Sequence, residues 1–147
     1  DLADSSAQLG RPQNRLYMAR FLRSLRQKIR LKSQRFPGQL DLAGLPSIAN
    51  FQQFDDRYTA PLHGFQNAND YWTRSSCRQF LPAIEIPTLL VNALNDPFLG
   101  PLCYPREEAE RSELFHLEIP PQGGHVGFPL AHGKSWAEQR ALEFLQR

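Results

Sequence analysis

Two cysteines in 147 residues, Cys77 and Cys103, are too few for a disulfide framework, and neither belongs to a C-x-x-C pair of the kind that holds zinc. Long apolar runs are missing as well: none approaches the ~20 residues that a membrane-spanning helix needs. The opening residues lack the charged-then-apolar layout of a secretory signal. Reduced thiols in a cytoplasmic protein are the expectation. Internal repeats and low-complexity tracts are absent, and the chain starts at Asp1 rather than methionine, as a processed chain or a fragment would. What is present is 41% hydrophobic and 22% charged, the composition of a globular chain of about one domain. Twelve prolines predict short elements joined by ordered loops.

Net charge is +2, but it is unevenly spread. Residues 1–35 carry nine Lys/Arg against Asp1 and Asp4, or +7; residues 36–147 carry eight against thirteen acids, or −5. The basic excess falls on one predicted helix, Pro12 to about Lys32, where Met18, Phe21/Leu22, Leu25 and Ile29 recur at helical spacing among arginines. One reading is an amphipathic element that packs one face and solvates the other. Peripheral contact with anionic lipid headgroups through residues 12–32 is an alternative. Nucleic acid is not expected, because no aromatic interleaving or known motif accompanies the arginines.

Ahead of that helix, residues 1–10 are small and polar and read as a connection. After Phe36-Pro37-Gly38 ends it, Asp41 to Ala43 and Ser47 to Phe54 could each form a short helix, the second capped by Ser47. Asp55 and Asp56 are adjacent, so their carboxylates diverge, and no third ligand is spaced to join them; capping or salt bridging is the expected role. His63, beside a glycine, is expected to hydrogen-bond within a loop. Asn67 to Arg74 reads as a short helix with Asn67 or Asn69 as its cap and Tyr71 and Trp72 packing.

The rest is organised around Thr88-Leu89-Leu90-Val91-Asn92-Ala93-Leu94, a short apolar run set off by Pro87 and suited to a strand buried on both faces. Pro97 cannot join a ladder and pushes Asp96 towards extended geometry, so Asp96 stands at the carboxyl end, where open α/β sheets place their chemistry. A helical turn starting at Pro105 leads to a second strand, Leu114 to Ile119, and a helical crossover predicts parallel pairing. That strand runs into Gly123-Gly124-His125, and residues 134–146 read as a final helix. Two parallel strands thus end in an Asp loop and a His loop. A histidine steered by a carboxylate is the base half of a nucleophilic triad.

Asn95-Asp96-Pro97-Phe98 and Gly123-Gly124-His125-Val126-Gly127-Phe128 each follow an apolar strand, and here the chain resembles the α/β-hydrolases. Within them it is most similar to the YheT-like branch, with the plant embryogenesis-associated hydrolases and animal α/β-hydrolase-domain lipases. Arg20-Phe21-Leu22-Arg23-Ser24-Leu25, Phe36-Pro37-Gly38, Phe54-Asp55-Asp56 and Thr59-Ala60-Pro61-Leu62-His63-Gly64-Phe65 extend the likeness over nearly the whole chain. The resemblance implies an α/β fold: a helical cap at residues 11–80, then, at 81–147, the last two parallel strands of the core with flanking helices. It implies a serine hydrolase of carboxylic esters, lipid-like or short-chain, without a cofactor or bound metal. Asp96 would be the acid and His125 the base. Phe54, Phe98 and Phe128 would wall an acyl pocket or, equally, serve as core aromatics.

The departure is as informative as the matches. No G-x-S-x-G occurs, and none of the nine serines has the strand–elbow–helix setting of a nucleophile. The expectation is therefore a C-terminal half that partners the missing N-terminal half of the same protein, inactive and aggregation-prone alone because two strands leave an apolar edge. A non-catalytic α/β-hydrolase-like binding module is the alternative.

Overall fold

A computed structural model describes residues 1–146. They divide into two compact units, the first Asp1–Ser76 and the second beginning at Cys77.

The first unit is helical. Residues 1–10, read as a connection, form α1 (Leu2–Leu9), because Asp1 caps it by accepting the Asp4 amide hydrogen at 2.8 Å. Pro12–Asn14 make a single 3₁₀ turn that runs into α2 (Arg15–Arg35). Met18, Leu22 and Ile29 are its buried residues, the spacing the sequence predicted. Gly38 takes a φ of 77°, which turns the chain away after Arg35.

Asp41 to Ala43 is not helical, since Asp41 folds its carboxylate back on the Ala43 amide at 2.7 Å as an Asx turn. Ser47 is likewise not the next cap. It closes a 3₁₀ turn, the chain is extended at Ile48, and Asn50 caps α3 (Phe51–Phe54) through the Gln53 amide. From α3 the helix widens into a π turn at Asp55–Thr59 before α4 (Ala60–Leu62). Pro61 explains the widening: it has no N–H to give and its ring crowds the carbonyl four residues back. The Ala60 amide accordingly reaches the Asp55 carbonyl. Of the two expected caps it is Asn67, not Asn69, that caps α5 (Ala68–Ser75), and Trp72 is buried.

The second unit is a two-stranded parallel sheet with helices. β1 (Thr88–Val91) pairs with β2 (Phe115–Glu118) in the register Thr88–Phe115 to Val91–Glu118, and α6 (Arg106–Glu110) lies between them in sequence. Hydrogen bonds outlast the regular strand: the Asn92 and Leu94 amides donate to the Glu118 and Pro120 carbonyls at 3.1 and 2.8 Å. The predicted burial on both faces is not reached. Every β1 residue is only half-buried, because β2 is its one strand neighbour among the described residues. α7 (Trp136–Leu145) is tied to β2 by Arg140, whose Nε donates to both Glu118 oxygens at 2.8 and 2.9 Å. Its apolar side is less covered than its pattern suggests, with Leu142 and Leu145 exposed.

Candidate active site

Pairing of the two strands carries their trailing loops to one edge of the sheet. Asn95 bridges the loops: its Oδ1 accepts the amide hydrogens of Gly123 at 3.0 Å and Gly124 at 2.9 Å. One residue further, Asp96 turns inward. Its Oδ1 accepts the Phe98 amide hydrogen at 2.8 Å, an Asx turn that Pro97 pre-sets, and its Oδ2 lies 2.8 Å from His125 Nδ1. The Asp96 side chain is 2% exposed and the His125 side chain 49%. Both carboxylate oxygens are therefore hydrogen-bonded, as burial of a charge demands. Bonding at Nδ1 leaves the opposite ring nitrogen, Nε2, for another partner. Phe98 packs on the imidazole with ring centroids 4.7 Å apart.

The glycines make this approach feasible. A Cβ at Gly123 would fall 2.4 Å from the Phe128 ring and 2.9 Å from Ala93 Cβ. Gly124 has a φ of 63°, the left-handed region that side chains resist. Phe128 is itself at φ 41°, held by its own amide bond to the Gly123 carbonyl and by the Trp136 amide, which donates to the Phe128 carbonyl; each is 2.9 Å. Its ring is buried and meets Trp136 at 5.8 Å between centroids.

Tyr104 fixes the floor below Asp96. Its hydroxyl donates to the Ala93 carbonyl at 2.8 Å, and burial, followed by the negative charge of Asp96, pushes the phenol up from its ordinary value. It stays a protonated donor at neutral pH. No sequence pattern marked Asn95 or Tyr104 as site residues. Their bonds span 28 and 11 positions and depend on the strand register, though Asn95 directly before an Asp-Pro turn is the one local hint.

Of the three phenylalanines, Phe98 lies against the imidazole. Phe128 lines a cleft of about 430 Å³ together with Asn95, Gly124 and Trp136, and neither Asp96 nor His125 lines that cleft. Phe54 belongs to the helical unit, buried against Tyr58 and lining a cavity of about 340 Å³ with Phe51, Tyr71 and Trp72. The Asp55–Asp56 pair is consumed by structure. Asp55 accepts from Trp72 Nε1 at 2.8 Å and Thr59 Oγ1 at 2.6 Å, and Asp56 accepts the Ala68 amide hydrogen at 2.7 Å. His63 hydrogen-bonds within its turn, its backbone amide donating to the Ala60 carbonyl at 3.2 Å. Among the described residues no three His, Cys, Asp or Glu side chains gather as a metal site. Nor is any helix there long and apolar enough to cross a membrane.

A mixed α/β chain whose paired parallel strands deliver an Asp and a His to one sheet edge is of the α/β-hydrolase kind. It is homologous over most of its length to the YheT and ABHD2/ABHD3 α/β-hydrolases. It is 34% identical over 137 residues to "Putative esterase YheT" of Escherichia coli K12, matching 90% of this chain and 40% of that protein. To phospholipase ABHD3 of Mus musculus it is 31% identical over 124 residues, 84% of this chain and 30% of the relative. The human monoacylglycerol lipase ABHD2 matches at 33% over 90 residues, 60% of this chain and 21% of the lipase. The chain thus spans at most about two-fifths of the length of these relatives. No family model and no solved structure matches it.

Proposed function

We propose that this chain supplies the acid and the base of a serine hydrolase of carboxylic esters. Asp96 holds His125 at Nδ1, which leaves Nε2 to take the proton from a serine and return it to the leaving alcohol. The buried carboxylate stabilises the imidazolium between those steps. The single observation behind this reading is the 2.8 Å contact between a buried Asp96 and a half-exposed His125. No serine is a hydrogen-bond partner of His125 among the described residues, so the nucleophile is assigned to a segment outside these 147. The relatives' names, a phospholipase and a monoacylglycerol lipase among them, favour a lipid-like ester. Phe98, packed on the imidazole, and Phe128, on the neighbouring cleft, are the side chains near the histidine loop suited to an acyl group.

The test uses the protein that carries this chain. His125→Ala should lower kcat on a soluble aryl ester by about 10³-fold or more, and Asp96→Asn by a comparable factor through loss of the correct tautomer. Both should keep the parental melting temperature to within a few degrees. Retention of most of the rate by His125→Ala would place the base elsewhere.

A further inference from the structure

α2 carries eight Lys/Arg in 21 residues and no Asp or Glu. Five arginines, Arg11, Arg15, Arg23, Arg26 and Arg30, line a cleft of about 740 Å³ in the helical unit, and none of its lining residues is acidic. Arg26 is already engaged, donating from Nε and Nη2 to the Leu45 and Ile48 carbonyls at 3.3 and 2.6 Å. The guanidinium groups of Arg11, Arg15, Arg23 and Arg30 make no hydrogen bond, ion pair or ring contact among the described residues. Four like charges around one cleft repel each other, and an anion would relieve that cost.

Apolar side chains stand beside the charges. Leu16 and Leu31 are 77% and 53% exposed. At 3.6 residues per turn, Leu16, Arg20, Arg23, Arg30 and Leu31 form one stripe along the helix. Fork-shaped guanidinium donors suit phosphate oxygens, and apolar residues among them suit the boundary between headgroups and acyl chains. A nucleic acid would want stacking rings between the arginines. Phe21 is instead engaged by Phe51, at 6.0 Å between centroids.

We propose that this face of α2 docks on an anionic lipid surface: Arg20, Arg23 and Arg30 bind headgroup phosphates while Leu16 and Leu31 enter the acyl boundary. The assignment does not depend on the roles of Asp96 and His125.

The experiment is co-sedimentation of the protein carrying this chain with phosphatidylcholine vesicles, with and without phosphatidylglycerol. Binding is expected only when phosphatidylglycerol is present. The combined Arg20, Arg23 and Arg30→Gln variant should bind at least about tenfold more weakly. Leu16→Ser with Leu31→Ser should lose the binding that persists in high salt. Since the Arg20, Arg23 and Arg30 guanidinium groups make no hydrogen bond or ion pair among the described residues, the glutamine variant should melt with the parent, which separates lost docking from lost folding. Arg106→Gln with Arg111→Gln, on α6, should bind as the parent does. Equal binding to neutral vesicles, an unaffected glutamine variant, or an equal loss in the α6 control would overturn the proposal. So would capture of inorganic phosphate or of oligodeoxythymidine without vesicle binding.

Discussion

Asn95 and Gly124 fasten the Asp96 loop to the His125 loop: the Gly124 amide hydrogen meets Asn95 Oδ1 at 2.9 Å, and the neighbouring Gly123 amide shares that oxygen at 3.0 Å. Asp96 and His125, which meet at 2.8 Å, each sit one residue beyond. The Asn95 side chain hydrogen-bonds to neither the Asp96 nor the His125 side chain, so under the proposed function it is a positioning residue. Asn95→Ala leaves two amides without their acceptor and lets His125 drift from Asp96. The expected result is a fall in kcat on a soluble aryl ester of about 10- to 100-fold with KM nearly unchanged, since misplaced groups lower the rate steeply. Asn95→Asp keeps the acceptor and should recover part of the loss. A rise in KM at constant kcat would assign Asn95 to substrate binding instead.

Adjacent glycines offer a sharper contrast, because they are glycine for different reasons. A methyl at Gly123 strikes the Phe128 ring, which is itself packed on Trp136, whereas one at Gly124 meets nothing within 4 Å but sits at φ 63°. Gly123→Ala therefore acts by overpacking, at a cost of roughly 1–3 kcal/mol. Gly124→Ala acts through the backbone, at about 1 kcal/mol. Phe128→Leu should rescue Gly123→Ala in part and leave Gly124→Ala unaided, whereas Gly124→Asn should be milder than Gly124→Val. Denaturant midpoints of the set measure this, and rescue of both glycine variants by Phe128→Leu would contradict it.

That two apolar runs would pair in parallel and bring residues 96 and 125 to one edge was readable from Asp-Pro and Gly-Gly-His at the strand ends. The α5 cap was readable to within two residues, as Asn67 or Asn69, and Asn67 takes it with Asp70 three residues on. Local chemistry decides such features. The misreadings share the opposite cause. Ser47 and Asn50 are both good caps, and the choice falls to Asn50 because Ile48 is extended. The π turn has no pattern of its own beyond a proline two residues after it. β1 looked fully buried from its apolar side chains alone, but burial depends on neighbours that a single run cannot reveal.

Asp55 anchors the helical unit by taking the Trp72 indole hydrogen on Oδ2 and the Thr59 hydroxyl on Oδ1, at 2.8 and 2.6 Å. Trp72→Phe preserves most of the apolar volume and removes one donor from a buried carboxylate. The expected destabilisation is about 1–3 kcal/mol. Thr59→Val should do the same through the other oxygen. Combined, the two should cost more than their sum, since the carboxylate is then stranded. Urea unfolding of the four proteins gives the coupling. Strict additivity would mean that Asp55 finds water instead.

A final prediction concerns acid. Glu108 on α6 takes a two-pronged bond from Arg78, from Nε to Oε1 and from Nη2 to Oε2, the second at 3.2 Å. The Arg78 hydrogen bond is the main reason that the Glu108 carboxyl is held below its ordinary value of 4.5, with burial opposing it. A carboxyl whose folded pKa is depressed binds protons more readily unfolded, so its contribution is fully present above 4.5 and fades as pH falls through the lower folded value. With the Arg78 and Glu108 side chains 32% and 20% exposed, solvent screening limits the pair to about 1 kcal/mol. Glu108→Gln should therefore melt below the parent at pH 7, and the gap should narrow steadily from about pH 5 downward. Thermal melts of both proteins between pH 7 and pH 3 make the comparison. A gap that keeps its size down to pH 3 would mean that packing around α6, and not the Arg78 bond, is what Glu108 contributes.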